Sequence, residues 1–122
     1  MDFNQNKPIY LQIADSICDK ILQGEYLPDE RILSVRELGI SLGVNPNTIA
    51  RVYDHLQGME IIYNRRGIGY FVSPSAPERI LEQQKEEFLR NELPTVVRKM
   101  KLLGVPLSVL EKLLEEKEGD LC

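Results

Sequence analysis

VNPNTIARVY, residues 44–53, decides how this chain folds. Asn45 suits a helix N-cap and Pro46 the first helical position, where a missing N–H costs nothing because that group has no intrahelical partner. The proline therefore starts a helix, expected to run to about residue 57. Ile49, Val52, Tyr53 and Leu56 recur at i, i+3, i+4 and i+7 and make its buried stripe. Asn47, Thr48, Arg51 and His55 are left on the outward face, which is polar and uncharged to basic.

Toward the N-terminus, Gly43 closes a shorter helix that opens at Ser34 and Glu37, an S-x-x-E capping box in which each side chain satisfies a free backbone N–H. That helix is expected to turn Val35, Leu38 and Leu42 inward. Before it, residues 8–24 place Tyr10, Ile13, Ala14, Ile17, Cys18 and Ile21 at helical spacing, which predicts a first helix with one buried face. Cys18 lies on that stripe and reads as a small core hydrophobe.

Toward the C-terminus, EIIYNRRGIGYFV, residues 60–72, predicts two short strands, 61–64 and 70–72, joined by a turn through Arg65, Arg66 and Gly67. SPSAP, residues 73–77, reads as a linker. Beyond it, residues 77–103 are charged and helical, and Pro94 is expected to start a new segment or kink the helix. Gly104 and Pro106 mark a turn before a last short helix and an acidic end. Two amphipathic helices alone bury little, so Phe88, Leu93, Val97, Met100, Leu110, Leu113 and Leu114 are expected to form a dimer seam with a second chain.

At 122 residues, with 43% apolar and 28% charged, the chain fits one globular domain with an appendage. Its net charge of -4 argues against a protein that is basic all over and binds any polyanion, so a nucleic-acid surface has to be local. Residues 34–73 escape the acidity, with Arg36, Arg51, Arg65 and Arg66 against Glu37, Asp54 and Glu60. Cys18 and Cys122 have no metal-type spacing, and nowhere do about 18 apolar residues follow one another. A reduced, cytoplasmic protein without a membrane span is the expectation. No nucleophile–base pair, phosphate-binding glycine loop or metal constellation is legible, so neither an enzyme nor a cofactor is expected.

The order helix, short helix, glycine turn, helix, hairpin predicts a fold that is mainly α with a small β-hairpin. It is that of a winged helix-turn-helix over residues 1–73, followed by a short two-helix dimerisation tail over residues 74–122. In such a fold the third helix enters the DNA major groove and the hairpin touches the backbone or minor groove. Small polar residues at the start of that helix let it approach the groove floor, where its N–H groups favour phosphate. A winged helix that docks a protein partner instead of DNA is the alternative.

PIYLQIADSICDKILQGEYLPDERILSVRELGISLGVNPNTIARVYDHL, with RRGIGYFV after it, resembles the DNA-binding domain of GntR-family transcriptional regulators over residues 8–72. The VNPNT start of the third helix and the short helical tail are similar to the YtrA subfamily, which lacks the large effector-binding domain of other branches. The resemblance implies a dimeric bacterial repressor, in that subfamily often controlling its own operon and ABC-transporter genes; a homodimer with two recognition helices is expected to read an inverted-repeat operator. By the same resemblance Arg36, in the S-x-R-E-L pattern that opens at Ser34, contacts DNA. Asn45, Pro46, Asn47, Thr48 and Arg51 match the opening of the recognition helix, and Arg66 with Gly67 matches the wing tip beside Arg65. A small-molecule effector is left open, neither named nor required. Three positions depart from the family pattern: Leu33 replaces a proline, and Asp29 and Glu60 replace glycines.

Overall fold

The computed structural model describes residues 7–117, so Cys122 and the acidic end lie outside the described residues. In chain order the elements are α1 (Ile9–Leu22), α2 (Val35–Leu42), α3 (Pro46–Gly58), β1 (Ile62–Arg65), β2 (Gly69–Val72) and α4 (Ala76–Glu87). A π-helical segment (Phe88–Glu92), α5 (Leu93–Leu103) and α6 (Leu107–Lys117) follow. Contacts divide the chain into two compact units, one through Gln83 and one from Gln84.

In the first unit, α1 buries Ala14, Ile17, Cys18 and Ile21, and α3 buries Ile49, Val52, Tyr53 and Leu56, the stripes that helical spacing predicts. Removing each large side chain from water contributes roughly 1.5–3 kcal/mol, so this shared core is the main force holding α1 on α3. Buried Tyr53 donates its hydroxyl to the Leu33 carbonyl at 2.5 Å, and burial holds that phenol well above its ordinary pKa. The capping box of α2 forms: the Glu37 N–H donates to Ser34 Oγ at 3.0 Å and the Ser34 N–H to Glu37 Oε1 at 2.9 Å. Gly39 lets α2 approach the turn before α3, since a Cβ there would stand 2.9 Å from the Val44 carbonyl oxygen. Leu42 does not turn inward. It is 47% exposed, because Gly43 ends the helix at once and the last turn projects beyond the core.

The wing is an antiparallel pair in which Ile62 faces Val72 and Arg65 faces Gly69. Arg65 thus belongs to β1 rather than to the turn, which is Arg66, Gly67 and Ile68. Its tight bend is closed by the Ile68 N–H on the Arg65 carbonyl at 2.9 Å, and Gly67 takes the φ of +80° that the third position demands. A third extended piece escapes the sequence reading. Residues 29–32 run beside β2, with a bridge from Arg31 to Phe71 and the Ile32 N–H on the Tyr70 carbonyl at 3.0 Å.

Residues 73–77 form a tight turn into α4 rather than a linker, with Ser73 and Ala76 buried and Pro74 and Ser75 exposed. Ser73 is buried with its N–H on the Ile61 carbonyl at 2.9 Å, and α4 starts at Ala76. Ala76 and Ile80, 0% and 1% exposed, join the core of the first unit. A Ser/Pro/Ala stretch looks like a linker by composition, but here the Ala76 N–H closes a turn on the Ser73 carbonyl at 3.0 Å, with both residues buried.

The two departures from family glycine fall where the backbone is left-handed, Asp29 at φ 63° and Glu60 at φ 60°. Glu60 follows the α3 C-cap, with its N–H on the Gln57 carbonyl at 3.0 Å and the Ile61 N–H on the Leu56 carbonyl at 3.0 Å. These are the two bonds of a Schellman motif, whose left-handed position usually holds glycine. Asp29 also has a local partner, accepting the Tyr63 hydroxyl on Oδ1 at 2.8 Å.

In the second unit Pro94 sits in the first turn of α5. A proline has no N–H for the carbonyl four residues back, and the chain widens into a π turn before it, with the Leu93 N–H donating to the Phe88 carbonyl. Gly104 ends α5 in the left-handed conformation. Among the described residues of this unit no side chain is buried: Phe88, Val97, Leu113 and Leu114 are exposed, and Leu93, Met100 and Leu110 are half-buried.

Candidate nucleic-acid interface

The α3 N-terminus is built by Asn45, whose Oδ1 accepts the Asn47 N–H at 2.8 Å, and by Pro46 directly after it. Asn45 thus spends its side-chain oxygen on the cap. The Asn47 side chain is exposed and Thr48 half-buried beside it. One turn on, Arg51 is exposed, with Cζ 4.1 Å from the centroid of the Tyr10 ring. His55 is half-buried rather than solvent-facing, because it meets the same ring edge-on, with centroids 6.1 Å apart and planes at 87°.

Arg36 is exposed in the first turn of α2. Ser34, immediately before that helix, is half-buried with its hydroxyl accepting in the capping box. The Ser34 N–H, together with its hydroxyl, also keeps the Glu37 carboxyl below its ordinary pKa, so the carboxylate beside Arg36 is a cap.

On the wing, Arg65 Cζ lies 5.6 Å from the Phe71 ring, while Arg66 and Gly67 are exposed at the tip. Arg31 joins them. It is exposed beside β2, and its Nε would be 3.0 Å from a Cβ placed on Gly69, so its guanidinium lies across that glycine. Nothing in the local pattern singles out Arg31; only the pairing of residues 29–32 with β2 brings it to the hairpin. Among the described residues the ion pairs are Lys7–Asp15, Glu60–Arg79 and Glu86–Arg90. Although Arg31 acts on the Glu37 carboxylate from a distance, Arg31, Arg36, Arg51, Arg65 and Arg66 are in none of these direct ion pairs. That is the condition a phosphate-binding surface requires.

Away from these residues, a cavity of about 500 Å³ opens between α1 and α2, walled by Ile9, Ile13, Leu38, Leu42 and Val44 with Lys20 at one side. Among the described residues no three His, Cys, Asp or Glu side chains gather as a metal would need, and no helix is long and apolar enough to cross a membrane.

Three helices with a capped, basic-faced third helix, followed by a hairpin tipped with arginines, define a winged helix-turn-helix of the DNA-binding class. The family model described as bacterial regulatory proteins, gntR family, matches residues 9–72, and the chain belongs to that family of DNA-binding transcriptional regulators. It is 42% identical over 84% of its length to the uncharacterized HTH-type transcriptional regulator YhcF of Bacillus subtilis, covering 84% of that protein. To the HTH-type transcriptional repressor YtrA of the same organism it is 30% identical over 99% of its length, covering 92% of that protein. Among solved structures, a GntR-family regulator from Bacteroides thetaiotaomicron superimposes with a TM-score of 0.82 at 43% identity, over 94% of this chain and all of the other. The DNA-binding domain of AraR, solved in complex with operator ORR3, matches 60% of this chain and 88% of its own with a TM-score of 0.54 at 32% identity.

Proposed function

We infer that this chain is a homodimeric repressor that reads an inverted-repeat operator with two copies of α3, the half-sites lying about one helical turn, roughly 34 Å, apart. Asn47, Thr48 and Arg51 face base edges, while Arg36, Arg65, Arg66 and the Gly67 turn meet phosphates or the minor groove. Asn45 and Pro46 set the helix start, and Ser34 holds α2 in register. The single observation that carries this reading is the set of exposed, unpaired arginines on α2, α3 and the wing of one unit in an acidic protein. A net charge of -4 would otherwise repel a polyanion, so a local cluster of uncancelled cations needs a reason.

The tail is the dimerisation element. Leu102 is 84% exposed and no described side chain of α5 and α6 is fully buried, which supports a second chain as their cover. Transporter genes are the expected targets, from the resemblance to the YtrA subfamily.

The experiment is selection of random duplexes by the purified protein at several salt concentrations, with light scattering for mass. Recovery of an inverted repeat by a dimer, weakening as salt rises, supports the proposal. Salt-insensitive capture of a protein with no retention of any duplex overturns it in favour of an adaptor.

A further inference from the structure

We propose that Tyr10, on α1, is the positioning residue for Arg51 on α3, and that it sets how well this arginine discriminates bases. The inference rests on the reading of Arg51 as a DNA contact. Arginine is long and flexible, and an exposed one has to give up that freedom when it meets a base. Here the freedom is given up in advance, because the guanidinium lies 4.1 Å from the Tyr10 ring centroid in the free protein.

Three observations make the ring a holder rather than a neighbour. His55, one turn after Arg51, meets the same ring edge-on at 6.1 Å, so Tyr10 touches two α3 side chains. The ring is half-buried and packs against the core, so α1 fixes its height and angle. No carboxylate among the described residues pairs with Arg51; an aromatic face holds the cation without cancelling its charge, and a planar guanidinium on a ring keeps its N–H edge free for hydrogen bonds. An acidic partner would hold the arginine equally well and silence it toward DNA.

The test uses the full-length protein and the selected operator, with four variants: Tyr10→Phe, Tyr10→Leu, Arg51→Ala and the Tyr10→Leu/Arg51→Ala pair. Affinity is measured for the operator and for operators with one altered base pair, alongside thermal unfolding. Tyr10→Phe, which keeps the ring, is expected to match the wild type. Tyr10→Leu is expected to lose about three- to thirty-fold in affinity and most of the discrimination at the base pair that Arg51→Ala makes indifferent. In the Arg51→Ala background Tyr10→Leu is expected to change affinity no further, because nothing remains to be held.

Equal losses from Tyr10→Leu in both backgrounds, tracking thermal stability, overturn the proposal in favour of a packing role. So does wild-type discrimination in Tyr10→Leu while Arg51→Ala is weakened; the DNA reading then stands alone. Wild-type binding by Arg51→Ala removes Arg51 from the interface and overturns the inference with it. A fourth readout is independent of how well Tyr10→Leu folds. The Arg51 side-chain protons of the wild type are expected to show ring-current shifts that persist in Tyr10→Phe, and their absence sinks the idea.

Discussion

The Glu60 carboxylate stands 2.9 Å from the Arg79 guanidinium, on a residue whose own backbone is held at φ 60°. An exposed pair of this kind contributes at most about 1 kcal/mol, whereas a non-glycine residue in the left-handed region costs roughly 1–2 kcal/mol. Strain wins. Glu60→Gly is therefore expected to raise stability by up to about 1 kcal/mol in denaturant unfolding while leaving operator affinity unchanged, since Glu60 is paired with Arg79 and is not one of the proposed contacts. A destabilised variant would mean that the pair outweighs the backbone.

Ser34→Ala removes a cap that Glu37 reciprocates, and a loss of about 1 kcal/mol is expected. Glu37 adds a pH signature. Its folded pKa is lowered by the Ser34 N–H first and the Ser34 hydroxyl second, so its stabilisation is present above the ordinary carboxylate pKa and disappears as pH falls through the lower folded value. Ser34→Ala should flatten that acid limb. Ser34→Asn, which keeps a cap without adding charge, separates capping from DNA contact: if it restores stability but not affinity, the Ser34 hydroxyl also serves the DNA contact.

Burial pushes the Cys18 thiol up to about 12 from an ordinary value near 9, with Asp15 and Asp19 adding to the effect. A raised thiol pKa means that the neutral form is favoured by folding. The stability it reflects is whole below pH 9 and is lost as pH climbs toward 12. In a Cys122→Ser background, iodoacetamide at mildly alkaline pH is expected to spare the native protein and label it once denaturant is added. Rapid native labelling would show that the α1 face opens.

Ile80 lies past the stretch that reads as a linker, yet it is 1% exposed. Ile80→Ala is expected to cost about 2–4 kcal/mol by chemical denaturation. A chain ended at residue 73 should likewise be far less stable than one ended at residue 87. Equal stability of the two truncations would return α4 to the status of an appendage.

Arg36→Ala and Arg66→Ala are each expected to weaken binding similarly on all sequences and to lower the slope of log affinity against log salt by about 1. A loss confined to one operator sequence would make either residue a base reader instead.

Local chemistry was legible in the sequence wherever a few neighbouring residues decide it. The Asn45–Pro46 start of α3, the Ser34–Glu37 box, the Gly43 stop and the apolar stripes of α1 and α3 all depend on groups within a turn or two of each other. The hairpin was legible to within a residue at each strand, and Arg65 moved from turn to strand because cross-strand pairing with Gly69 sets the register. The absence of the family glycines at Asp29 and Glu60 was visible in the pattern, but the reason for a glycine there was not. Left-handed backbone is imposed by where the chain must go next, into the wing beside β2 and out of α3.

The amino-acid sequence by itself determined the winged helix-turn-helix, its family and the basic residues of α2, α3 and the hairpin, because capping, periodicity and charge are written in adjacent residues. Only the tertiary structure decided that Tyr10 lies under Arg51, that Arg31 joins the wing and that Ile80 completes the core. Those relationships join residues far apart along the chain. Which distant side chains meet is chosen by the packing of whole elements on a shared core, and no local pattern encodes that choice.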